Sequence, residues 1–321
     1  MSNFTRYVVE RIAWAIPVLL GASFVAFIMI HLAPGDPARF MLGERATAEQ
    51  VEQLRRELGL HQPLYVQYYD FLASAVQGDL GSSVRTNQPV GSMILDRLPY
   101  TIQLAVGSMI ISLSVAFPAG VLGARHSNTR IDDASRIGAL LGISIPNFWL
   151  GLLLILFVGV SIQMFPISGM TLVTENVVEG IISTLLPAIA LGTALAALVM
   201  RLLRGGMLDE LNSGYVRTAE AYGMAKPEVM YVYVLKNAVL PTLTIVGLQL
   251  GALIGGSVII ETVFGIPGIG RLAIESIFQQ DFPVIQGIIL LVAVAFVIAN
   301  LVVDLLYGFL DPRITLGGEE A

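Results

Sequence analysis

YVRTAEAYGMAKPEVMYVYVLKNAVLP, residues 215–241, is the stretch on which the reading of this chain turns. It carries arginine, glutamate and lysine, yet it lies between two long apolar runs. Residues 215–222 read as a short helix, with Val216 and Ala219 on one face and Arg217 and Glu220 beside them. Gly223 ends that helix in a left-handed conformation, which glycine enters without a Cβ penalty. Pro227 opens a second helix running towards Pro241, because the fixed φ of proline suits a first turn. The segment is therefore expected to be a compact polar knob. Such a knob suits a membrane domain that receives a push from a soluble partner; a merely structured loop is the bland alternative.

Composition makes the membrane the natural solvent. Of 321 residues, 55% are hydrophobic and 13% charged, whereas soluble domains carry about 25% charged residues. Six runs are long and apolar enough to span, at residues 12–32, 99–124, 137–174, 180–200, 237–260 and 283–303. The third is too long for one span, so its tail from about Gln163, with Pro166 and Gly169, is expected to be non-helical or interfacial. Arg6 and Arg11 precede the first run, which is too long for the core of a signal peptide and reads as a retained helix.

Arginine and lysine in short loops set the orientation. Arg6 and Arg11, then Arg125, Arg130 and Arg136, then Arg201, Arg204, Arg217, Lys226 and Lys236 fall on one side if there are six spans. That side, with both termini, is expected to be cytoplasmic. The first external region, about 33–98, reads as two short helices. Thr47 and Gln50 form a capping-box pattern, Val51, Leu54 and Leu58 share a face, and Gly59 can end the first helix. An aromatic helix follows Pro63 and stops near Gly78; it suits the membrane interface or the outer mouth, as a structural lid or a substrate contact.

Within the spans, Gly247, Gly251 and Gly255 repeat every four residues, giving one face on which another helix can approach closely. That face is either a moving pathway or subunit interface, or static packing inside this chain. Pro146, Pro187 and Pro241 can kink or break spans. Intramembrane polar groups are few: Gln103, Gln249, Asn300 and Asp304, the last near enough to the interface to be solvated. So little buried charge disfavours a proton-driven carrier.

The segment at 215–241 resembles the EAA loop of ATP-binding-cassette (ABC) importer permeases. Arg217-Thr218-Ala219, Gly223 and Leu240-Pro241 look like its variant in the dipeptide/oligopeptide/nickel branch, in which arginine replaces the usual glutamate and the glycine-to-Leu-Pro interval is longer. Further motifs concur: HLAPGDP (31–37), QPLYVQY (62–68), GDLGSS (78–83), ETVF (261–264), PGIG (267–270) and DFP (281–283) with Gln286-Gly287. Together they resemble the first permease subunit of that branch, the peptide permease B type, over essentially the whole chain.

The resemblance implies an all-α integral membrane protein with six transmembrane helices, the type I ABC importer transmembrane domain, and a helical external loop after the first span. It divides the chain at 1–96 (first helix and external loop), 97–308 (permease core, with the coupling loop at about 204–237) and 309–321 (cytoplasmic tail). It implies as partners a second homologous permease subunit, two ABC ATPase subunits, an extracytoplasmic substrate-binding protein and membrane lipid, with no nucleic acid. The coupling helix would dock on the ATPase through Ala219, Glu220, Ala221 and Gly223, with Tyr215, Arg217 and Lys226 at the rim. Cargo would be di- or oligopeptides, or else nickel, haem or oligosaccharides.

The chain itself is expected to bind no cofactor or metal and to catalyse nothing. Neither lysine-bearing stretch fits a phosphate loop, so ATP and Mg are expected in the partner subunits. Cysteine is absent, and His31, His61 and His126 are scattered. A membrane protease is disfavoured because Ser168-Gly169 lacks a G-x-S-x-G context. A passive channel has no use for a docking knob.

Overall fold

In the computed structural model, residues 3–32, 36–43, 46–57 and 59–310 are described. Long helix α1 (Asn3–His31) leads into α2 (Pro37–Leu42), α3 (Ala48–Glu57) and α4 (Leu64–Val76). The core follows as α5 (Val90–Arg125), α6 (Arg130–Ser144), α7 (Asn147–Leu154), α8 (Val177–Leu211), α9 (Gly214–Ala221), α10 (Lys226–Glu228), α11 (Leu235–Gly256), α12 (Val258–Val263), α13 (Ile269–Gln279) and α14 (Phe282–Leu310). π-helical turns extend α7 over Ile155–Gly159 and join α10 to α11 over Val229–Val234. Ala33, Pro34 and Gly35 of the HLAPGDP motif, Leu58 of the expected face with Val51 and Leu54, and residues 311–321 of the expected tail lie outside the described residues.

Among the described residues, five helices are long and apolar enough to cross a membrane, and a sixth crossing exists if one bent pair counts as a single span. That pair corrects the third run. Instead of one straight span within 137–174, α6 starts at Arg130 and turns 96° into α7 across Ile145 and Pro146. Proline restricts the residue before it to extended geometry, so the helix stops there; Ile145 has ψ 119°. The stretch 160–176 is non-helical, as expected.

α5 and α8 run parallel at the centre. Gly107 lies against Thr184 and Ala188, Gly192 against the Ser108 carbonyl, and Gly120 against the Met200 carbonyl. Leu104, Met109, Leu186, Leu191, Ile260 and Phe264 fill the core beside this seam. α1 packs antiparallel on α14, since Gln286 Nε2 donates to the Ala26 carbonyl and Arg11 pairs with Asp304 at 3.2 Å. Asp304 is therefore held by an ion pair, not by the solvation expected of it. α11 packs antiparallel on α14: Gly247 abuts Val303, and Gly251 abuts Phe296. Two glycines of the stripe thus serve packing within this chain. The side-chain surroundings of Gly255 lie outside the described residues.

These directions bring the start of α1, the ends of α5, α8 and α14, and the starts of α6 and α11 to one end of the bundle. The three basic regions therefore share an end. At the opposite end, the capping box closes reciprocally, with Thr47 N–H to Gln50 Oε1 at 2.9 Å and Gln50 N–H to Thr47 Oγ1 at 3.3 Å. α4 reaches the end of α1, where Gln67 Oε1 lies 3.0 Å from His31 Nε2. It lies along the flank of α1, with Tyr68 Oη 2.9 Å from Ser23 Oγ and its ring against Phe24 and Phe27.

Candidate functional site: the hairpin between α8 and α11

The site begins where α8 outruns its apolar run. The helix continues past Met200 to Leu211, so much of the expected loop at about 204–237 is helix and the connection is shorter. After Asn212 and Ser213 the chain turns into α9. Two amides then close the α9 C-terminus: Gly223 N–H donates to Glu220 O at 2.9 Å and Met224 N–H to Ala219 O at 3.1 Å. These are the paired bonds of a Schellman motif, which needs a left-handed residue at the turn. Gly223 supplies it with φ +77°. α10 then opens with Pro227 in its first turn and runs through the π-helical turns into α11, as the sequence predicts.

Grease holds the knob in place. Val216 is 3% exposed and packs with Val121 and Ala124 of α5, Leu203 and Met207 of α8, and Val229, Val234 and Ala238. Ala219 and Met224, the Schellman pair, add to this cluster. One polar strut supplements it. The Tyr215 hydroxyl donates to Glu210 Oε2 at 2.6 Å and accepts from Asn237 Nδ2 at 3.2 Å, linking α8, α9 and α11. Burial, and then the bond to Glu210, hold the Tyr215 phenol pKa above its ordinary value.

Outward, the hairpin presents Arg217, Glu220, Ala221, Gly223 and Lys226, all exposed. Ala219 points the other way, half-buried on the cluster, so it sets the seat of the helix instead of its outer surface. Tyr222 is 86% exposed at the tip, a large aromatic that helical spacing alone did not single out. Its position just before a predicted left-handed glycine was the available signal.

Residues 116–316 match the family model for the inner membrane component of binding-protein-dependent transport systems, and residues 4–105 match the model for the N-terminal part of such membrane components. The chain belongs to this family. It is 42% identical over 311 residues to the oligopeptide transport system permease protein AppB of Bacillus subtilis, covering 96% of this chain and 98% of that protein. It is 37% identical to the dipeptide transport system permease protein DppB of Escherichia coli K12 over 333 residues, with the same coverage. Among solved structures, a chain of the MetNI methionine ABC transporter in inward-facing conformations aligns with a TM-score of 0.56 at 15% identity, over 68% of this chain and 96% of that chain. The expected type I importer membrane fold is thus the fold observed.

The family's remaining motifs stitch the opposite end of this transport-system membrane component. Glu261 is fully buried; Oε1 accepts from Thr101 at 2.8 Å and Ser257 at 2.7 Å, and Oε2 accepts from Arg271 N–H at 2.9 Å. The carboxylate therefore caps the N-terminus of α13, where helix amides lack partners. Thr101 Oγ1 also accepts from Ile269 N–H at 2.8 Å. Asp281 is buried and accepts from Ser83 Oγ and from Val84 N–H, fastening the turn before α5 to the α13–α14 corner.

Proposed function

We propose that this chain is a membrane subunit of an ATP-driven importer of di- and oligopeptides. One observation carries the reading: a folded hairpin stands exposed at the basic end of a chain whose relatives along nearly its full length are named oligopeptide and dipeptide permeases. The cytoplasmic membrane is its site. The excess of arginine and lysine at the hairpin end supports placing that end, and both termini, in the cytoplasm. There the hairpin docks on the ABC ATPase; two such subunits bind below the permease pair, take up ATP and Mg and perform hydrolysis, while this chain catalyses no reaction. A second homologous permease subunit completes the pathway, and an extracytoplasmic binding protein delivers cargo at the other end. The family's own description as binding-protein-dependent supports that last partner.

In docking, Arg217, Glu220, Ala221 and Lys226 contact the ATPase, while Tyr215 and Ala219 hold the helix on its seat. Tyr222 belongs to the contact surface because a solvent-exposed aromatic tip is an efficient anchor at an interface. Gly223→Trp tests the reading. The variant is expected to insert normally, to lose co-purifying ATPase and to stop ATP-dependent uptake of radiolabelled trialanine. Normal uptake by that variant refutes the assignment.

A further inference from the structure

Asp132, near the start of α6, is 1% exposed. Both its carboxylate oxygens accept from Arg204 of α8: Nε–H to Oδ1 at 2.6 Å and Nη2–H to Oδ2 at 2.8 Å. The Asn128 amide adds a third bond to Oδ2 at 3.1 Å. α5 joins the same junction, where Gly123 lies against the Arg204 Cδ and the Ser135 side chain of α6. Three elements therefore converge on one ion pair, at the end of the bundle that carries the hairpin.

Stability alone is a weak reason for such a pair. Desolvating two charges offsets most of their attraction, and apolar replacements of similar volume are often neutral or stabilising. What the pair supplies is geometry. A planar guanidinium meeting a carboxylate through two parallel bonds admits one register and resists sliding. Nearby, Ser135 Oγ of α6 donates a single 3.4 Å bond to the Ala119 carbonyl of α5, which fixes no such register. Leu203, beside Arg204, and Met207, about one turn further along α8, carry Val216 of the hairpin. A displacement of α9 thus enters α8 next to the guanidinium. α6 is the half of the bent pair that ends at the 96° turn.

We propose that Asp132–Arg204 is a force-transmitting clamp, which makes α6 follow α8 when the hairpin is displaced. Asp132 and Arg204 are positioning residues for coupled transport, and this rests on the importer reading above. Without the clamp, α8 moves and α6 lags, so hydrolysis proceeds while less cargo passes per ATP.

The test uses the transporter assembled from this chain and its co-purifying subunits, in proteoliposomes with its binding protein, with radiolabelled trialanine as cargo. Asp132→Asn and Arg204→Gln are expected to retain ATPase association and hydrolysis within about twofold, while trialanine moved per ATP falls about fivefold or more. Arg204→Lys keeps the charge but loses the fork, and falls between. The double reversal Asp132→Arg/Arg204→Asp is expected to recover most of the loss, which a merely space-filling role does not allow. Wild-type trialanine per ATP in either single variant overturns the clamp, as does a double reversal no better than the worse single variant. A wild-type assembly without ATP-dependent uptake overturns the importer reading itself, and the clamp with it.

Discussion

Substituting Gly223 isolates backbone strain from steric contact, because the structure removes one of the two. The residue sits at φ +77°, and a Cβ built there meets nothing within 4 Å inside this chain. The penalty for an L residue is then the left-handed conformation itself, about 1–2 kcal/mol. Alanine falls near the lower figure and β-branched valine beyond it, whereas asparagine visits this region more readily and loses least. About 1 kcal/mol is roughly a fivefold change in the opening equilibrium of the hairpin. The amides that report opening are those of Gly223 and Met224, which donate to Glu220 and Ala219. Hydrogen exchange read by mass spectrometry over residues 214–226 should show protection falling in the order Gly, Asn, Ala, Val, and uptake should follow that order. If valine exchanges no faster than glycine, or asparagine opens the hairpin as much as valine, strain is not what this position controls.

Tyr215→Phe deletes the strut to Glu210 and Asn237; the group is partly solvated, so the loss should be about 0.5 kcal/mol, read as faster exchange of α9 alone. The fold favours the neutral phenol. Its contribution is therefore complete at neutral pH, below the ordinary tyrosine value, and is lost as pH climbs through the raised one. Because the chain lacks cysteine, a dye on Tyr222→Cys can follow this alkaline step, which should vanish in the added Tyr215→Phe background. Glu261→Gln should weaken the α13 cap by about 2 kcal/mol and Glu261→Ala by more, since two hydroxyls and an amide lose their acceptor; an unchanged Tm of the detergent-solubilised chain contradicts that role. Gly247→Ala should cost about 1–3 kcal/mol by overpacking against Val303, and Val303→Ala should restore part of the lost Tm.

Five spans and the hairpin were legible because hydropathy and turn chemistry are local signals. Gly223 followed by Pro227 fixes a helix end and a helix start within five residues, and both stand where the sequence puts them. The break in the third run is local, at Pro146, one of the prolines the sequence marks as able to break a span; the start of its first helix at Arg130 was hidden for a non-local reason. Asp132 and Asp133 looked like loop residues flanking a span, yet α6 includes them. Asp132 tolerates burial only because Arg204 reaches it from seventy-two positions away. The fate of Asp304 was hidden likewise, since its partner Arg11 lies at the other end of the chain. The sequence put Ala219 on one face with Val216, as found, but that this face is the seat of the helix and not its docking surface depends on α5 and α8. Glu261 carried no local mark of its task; its acceptor role exists only once Thr101 and Arg271 arrive.

The rim around α13 and the seat directly beneath α9 are joined by different chemistry. Around α13, directional bonds from Thr101, Ser257, Arg271 and Ser83 reach buried carboxylates. Beneath α9, mostly aliphatic side chains meet, with the Tyr215 strut to Glu210 and Asn237 as a directional link at the edge. The far rim should behave as a fulcrum, and the hairpin seat as a close-fitting socket that hands its displacement to α8.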